Sequence, residues 1–182
     1  EQCEPFSQAG KASSLVSAED GEAQTPPTLT FPTPLVTAGT EISVIEEGTG
    51  DVAGEGSTVD FHVAAFLGSG GQLLTATSYD PSQPVRRVIT SGGEDYFPNV
   101  LRCVRTGERL IVTDELAAVF GPIPEDEIVQ NDSTVVMVVD VLNVYPASAE
   151  GALGGLVDDA PMIVQDPSGR HGVTVPMGGA PE

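Results

Sequence analysis

Strand-like alternation dominates the pattern of apolar and polar positions. Thr28-Leu-Thr-Phe31 alternates ahead of Pro32 and Pro34, and Thr40-Glu-Ile-Ser-Val-Ile45 alternates again, so both read as strands or edge additions to a sheet. Thr58 to Leu67 is rich in β-formers, Gly68-Ser-Gly-Gly71 follows as a hairpin turn, and Gln72 to Thr77 resumes the pattern. Pro84 to Ile89, Glu108 to Thr113 and Ser133 to Tyr145 read as three further strands. Helical spacing appears in Asp95 to Val104, with apolar residues at 97, 100, 101 and 104, Pro98 in the first turn and Gly107 as a stop. A second short turn is predicted from Glu115 to Phe120, followed by a long loop from Gly121 to Asp132. Many strands around one helix predict an α+β domain with an antiparallel sheet.

Composition changes the picture at the two ends. Residues 1–28 are rich in Ser, Ala, Gly, Glu and Pro, with one apolar patch at Leu15-Val16, and read as an extended arm. From Pro146 onward Gly, Ala, Pro and Asp prevail, so 147–182 reads as a linker-like tail behind a single domain spanning 29–146. With 7 Lys plus Arg against 27 Asp plus Glu, the net charge is -20, which repels phosphate backbones and anionic membrane surfaces. Nucleic acid is thereby excluded as an expected partner. No apolar run approaches the roughly 20 residues that span a bilayer. The chain starts at Glu1 rather than Met, and we expect a signal peptide upstream of it.

Residues for acid-base or metal chemistry are sparse, and no cofactor or metal site is expected. His62 and His171 each stand alone, the first inside a strand and the second in the tail. Glu125-Asp126-Glu127 lacks the alternating oxygen-ligand spacing of a calcium loop. No Gly-x-Ser-x-Gly elbow occurs, and Gly68 to Gly71 joins two strands without a following Gly-Lys-Ser/Thr, so neither a serine hydrolase nor a phosphate loop is indicated. Asn131-Asp-Ser133 matches the glycosylation sequon, a pattern common by chance. Two cysteines without a C-x-x-C spacing fit a Cys3–Cys103 disulfide better than a metal or redox site, two free thiols being the alternative. A disulfide together with a signal peptide implies an extracytoplasmic protein.

The order Gly48-Thr-Gly50, Gly56, Gly71-Gln-Leu-Leu-Thr75, Pro84 to Ile89, Gly107-Glu-Arg109, Phe120-Gly121 and the terminal strand resembles the FKBP-type peptidyl-prolyl isomerases over residues 40–145. The resemblance implies a curved antiparallel sheet wrapped over one short helix, and a cup that takes the proline of a peptide client. It assigns to the cup Val63 where family members carry Tyr, and Leu74-Thr75 where they carry Phe-Asp. Val85 stands for a Phe, Phe97 for the aromatic floor and Phe120 for a hydrogen-bonding Tyr. Ile128 and Val129 match apolar loop residues, and Met137 a Phe of the last strand. So read, the pocket stays apolar but loses its acid, two hydroxyls and aromatic surface, which implies weak or degenerate isomerase activity or a non-catalytic binding module. The arm and tail resemble those of secreted or lipid-anchored actinobacterial members with two such domains in tandem. On that reading Gly169 to Pro176 leads toward a second domain, and the clients are proline-containing polypeptides or a protein partner.

Overall fold

The runs read as strands from the sequence form strands in this computed structural model, which describes residues 3–124 and 129–148 and the backbone of 162–165 and 171–174. In chain order the strands are β1 (Ser17–Glu19), β2 (Thr28–Thr30), β3 (Glu41–Glu46), β4 (Thr58–Leu67), β5 (Leu73–Ala76), β6 (Val85–Val88), β7 (Arg109–Glu115), β8 (Thr134–Tyr145), β9 (Met162–Gln165) and β10 (His171–Thr174). Two helices of five residues each, α1 (Tyr96–Val100) and α2 (Leu116–Phe120), flank β7 in sequence.

The main sheet is antiparallel in the order β3-β7-β8-β4, with β5 and β6 sharing the outer edge of β4. β6 pairs with Thr58 to Phe61 and β5 with Ala64 to Phe66, so the chain leaves the edge after Ala76 and rejoins it at Val85. Register shifts at Asp60/Phe61 and Ala65/Phe66 bend and twist β4. Gly71, at φ +75°, supplies the left-handed residue that closes the β4–β5 hairpin. A mostly antiparallel sheet with two short helices is the α+β arrangement expected from the sequence pattern.

Helix α1 is shorter than the predicted span Asp95 to Val104. Leu101 still donates to the Phe97 carbonyl at 2.9 Å, but Cys103 turns left-handed at φ +70° and sends its N–H to the Ala53 carbonyl at 2.9 Å. That tertiary bond ends the helix after little more than a turn, whatever the periodicity beyond it.

Alternation sorts the strand residues onto two buried faces. Leu110, Val112, Val135, Met137, Val139, Phe61 and Ala65 join Val100, Leu101 and Val104 in the core beneath α1. Ile111, Val136, Val138 and Ala64 point the other way, onto Ala12, Val16 and Leu35. Burying a Val or Leu side chain stabilises by roughly 1.5–3 kcal/mol, so this second core is a substantial part of the fold.

The segment read as an extended arm therefore covers the back of the sheet. Its apolar positions are too few to register as a periodic pattern, yet Ala12 and Val16 are both buried. Ser43 donates to the Ser13 hydroxyl at 2.8 Å, Ile42 donates its N–H to the Gln8 carbonyl at 3.0 Å, and β1 pairs with β2. Cys3 is bonded to Cys103, with Cα atoms 5.6 Å apart, which anchors the start of the segment. Arg109 anchors its other end, bridging Asp20 and Glu46 at 2.8 Å each and also Asp140. Residues 1–148 form one compact unit and 149–182 another, within which β9 and β10 pair antiparallel.

Candidate functional site

Strand periodicity builds the front face of the sheet into a concave surface. On β4, Phe61, Val63 and Ala65 share a face, and Ala65 is flanked in register by Met137 of β8 and Thr75 of β5. Val85 of β6 lies opposite Phe61, and Arg87, two residues on, occupies the same face. These side chains, with Phe97 of α1 and Phe120 of α2, enclose a cavity of about 230 Å³. A second, shallower concavity of about 290 Å³ adjoins it, lined by Leu74, Leu116, Ile123 and Val129, with Thr75 and Phe120 as the shared wall.

Aromatic packing holds the floor in place. The Phe97 ring lies 5.2 Å from Phe61 in a tilted arrangement and 5.7 Å from Tyr96 edge-on. Tyr96 directs its hydroxyl to Asp114, donating to Oδ2 at 2.9 Å, and burial beside that carboxylate pushes the phenol pKa up, far from titration near neutrality. Asp114 also accepts from the Thr40 hydroxyl at 2.6 Å and from the Glu115 N–H at 2.8 Å, so the buried carboxylate is well satisfied. Phe120 is 46% exposed at the mouth.

Buried His62 supports the cup from behind. Its Nε2 lies 3.1 Å from the Asp80 carbonyl, which can only accept, so Nε2 carries a proton there, and Nδ1 lies 2.9 Å from the Thr77 hydroxyl. The Thr77 oxygen in turn takes the Val63 N–H at 3.2 Å. His62 thereby pins the excursion between β5 and β6, and stacks on Tyr79 with centroids 5.0 Å apart.

Two larger concavities lie elsewhere, each lined by several charged side chains besides apolar ones. One of about 730 Å³ runs beside the disulfide under the N-terminal segment, where burial raises the Glu108 carboxyl above its ordinary value. Another, of about 390 Å³, surrounds the Arg109 ion pairs. Among the described residues no group of His, Cys, Asp and Glu is arranged to hold a metal ion.

No protein-family model matches the sequence, and no curated protein matches it. Among solved structures, it is similar to the N-terminal domain of FKBP42 from Arabidopsis thaliana, at 16% identity over 68% of this chain and 99% of that one, TM-score 0.49. FkpA from Escherichia coli matches at 22% identity over 59% of this chain and 48% of that one, TM-score 0.44. A multi-domain immunophilin from Arabidopsis thaliana matches at 18% identity over 66% of this chain and 48% of that one, TM-score 0.49. The chain spans about half the length of the last two.

Of the nine positions singled out from the sequence, Val63, Thr75, Val85, Phe97, Phe120 and Met137 line the cup. Leu74 and Val129 line the adjoining concavity instead, and Ile128 lies outside the described residues, as does Glu125-Asp126-Glu127. Sequence reasoning passed over Phe61, Ala65, Ala76, Thr77 and Arg87. Period-2 counting from Val63 reaches 61 and 65, and from Val85 reaches 87, so strand alternation was the available signal.

Proposed function

We propose that this chain is an extracytoplasmic peptidyl-prolyl isomerase-like domain that binds proline-containing segments of exported polypeptides in the Phe97 cup and turns them over slowly. The observation that carries this reading is the open, aromatic-floored cavity of about 230 Å³ on the front of the sheet. Rotation about an X-Pro bond is opposed by amide resonance, with a barrier of roughly 18–20 kcal/mol. An apolar cup that strips water from the imide favours the twisted form, in which that resonance is broken. Phe97, Val63, Val85 and Met137 supply the apolar contact, and Phe120 stands at the mouth. The Cys3–Cys103 disulfide supports an oxidising compartment.

A second reading, a non-catalytic binding module, is favoured by one specific feature. Among the described residues the cup presents neither a carboxylate nor a phenol hydroxyl, since Thr75 and Phe120 occupy the positions that the family resemblance assigns to Asp and Tyr. A protease-free isomerisation assay on a short X-Pro peptide separates the readings, run on the wild type and on Phe120→Ala with and without an FKBP-directed macrolide. Macrolide-sensitive turnover that falls in the variant supports the first. Peptide binding without turnover supports the second, and absence of both overturns the cup as a proline site.

A further inference from the structure

The cup is not electrostatically neutral: Arg87 is the one charged side chain lining it among the described residues. Its neighbour Arg86 faces the other way and is paired, forming bonds of 2.6 and 2.7 Å to the two oxygens of Asp60 and lying over the Tyr145 ring at 5.5 Å. Arg87 has no carboxylate partner among the described residues, and a single guanidinium nitrogen donates to the Arg86 carbonyl at 2.8 Å. A guanidinium carries five N–H donors in a planar fork that matches a carboxylate, so most of this donor capacity remains open at an exposed position. The contrast with the rest of the surface is sharp, since the chain carries 27 acidic residues against 7 basic ones.

We propose that Arg87 makes this cup selective for peptides carrying an Asp or Glu side chain next to the proline, the ring entering over Phe97 while the carboxylate pairs with the guanidinium. The proposal rests on the cup being a proline site. It follows from charge complementarity: among the described residues no lining carboxylate opposes the anion, and the strand places Arg87 two residues from Val85, on the wall that would flank a bound ring. A solvent-exposed pair contributes modestly, so the preference is roughly two- to fivefold in Kd. The net charge of -20 disfavours acidic peptides at longer range and keeps the preference from being larger.

The test uses the full chain and three peptides capped at both ends, with Glu-Pro-Glu, Gln-Pro-Gln or Lys-Pro-Lys in one host sequence, titrated by calorimetry at low salt. We expect the Glu peptide to bind two- to fivefold tighter than the Gln peptide and the Lys peptide weaker than both. Arg87→Gln abolishes the Glu-to-Gln ratio, Arg87→Lys retains part of it, and 0.5 M salt shrinks it in the wild type. Equal affinities in the wild type, or a preference that survives in Arg87→Gln, overturn the role of Arg87 while leaving the cup intact as a proline site. Failure of all three peptides to bind overturns the cup reading itself, and this inference with it.

Discussion

Removing the disulfide tests how the N-terminal segment is held on the back of the sheet. Cys3 and Cys103 are separated by 100 residues, and closing a loop of that length removes chain entropy from the unfolded state worth about 4.7 kcal/mol. In the double variant Cys3→Ser/Cys103→Ser the remaining native anchors persist, namely Ala12 and Val16 in the second core, the Ser13–Ser43 bond and the Asp20–Arg109 pair. The loss is therefore felt in the unfolded ensemble, and residual structure there trims it to about 3–4 kcal/mol. With a urea m-value of about 2 kcal/mol/M, the midpoint falls by roughly 1.5–2 M. Urea titration followed by far-UV circular dichroism is the suitable assay, since the chain has no Trp. Wild type in reductant should coincide with the double variant. A midpoint shift below about 0.5 M at equal m would refute the loop-entropy argument, because the ends would then be restrained without the bond. Cys103 sits at φ +70°, so Cys3→Ser/Cys103→Gly should recover about 1 kcal/mol of the loss.

Three further outcomes are expected. Tyr96→Phe withdraws one donor from the buried Asp114 carboxylate and should lower unfolding free energy by about 1.5–3 kcal/mol in the same titration; a change under 0.5 kcal/mol would discount that bond. The Arg86 hydrogen bonds hold Asp60 below its ordinary value of 3.8, so its contribution is complete above that value and is lost as pH falls through the lower folded pKa. Accordingly the stability gap between wild type and Asp60→Asn should be constant from pH 5 to 7 and narrow below pH 3.8; a gap independent of pH would contradict the pairing. Phe120→Tyr places a hydroxyl at the exposed mouth of the cup and should raise turnover of an X-Pro peptide roughly 2- to 10-fold, the worth of one hydrogen bond, and an unchanged rate would speak against chemistry at that wall.

Strand positions were legible because they depend on local chemistry. β4 coincides with Thr58 to Leu67, β8 begins one residue after Ser133 and ends at Tyr145, and β6 lies inside Pro84 to Ile89. The helix was legible in place but not in length, since Cys103 leaves it to bond Ala53, fifty residues away in sequence. The packed N-terminal segment was not seen, although Val135 to Val139 carried a hint of it. An antiparallel strand with one wet face alternates, whereas an unbroken apolar run needs cover on both sides.

The candidate site divides along the same line. Its apolar character and six of its lining positions were implied by the family resemblance, and the solitary histidine inside a strand could be read from the residues alone. Leu74 was assigned to the cup but faces the adjoining concavity, because its neighbour Thr75 takes the inward position opposite Ala65.

By itself the sequence determined the antiparallel α+β class and the acidic charge, because each follows from local periodicity or residue count, and it favoured the Cys3–Cys103 bond that the structure contains. Which face each strand turns toward the cup, that the segment from Ala12 to Leu35 covers the other face, and that Arg87 lines the cup beside Val85 while Arg86 pairs with Asp60 were decided only in the tertiary structure. A strand's period says which residues share a face; what lies against that face is set by partners distant in sequence.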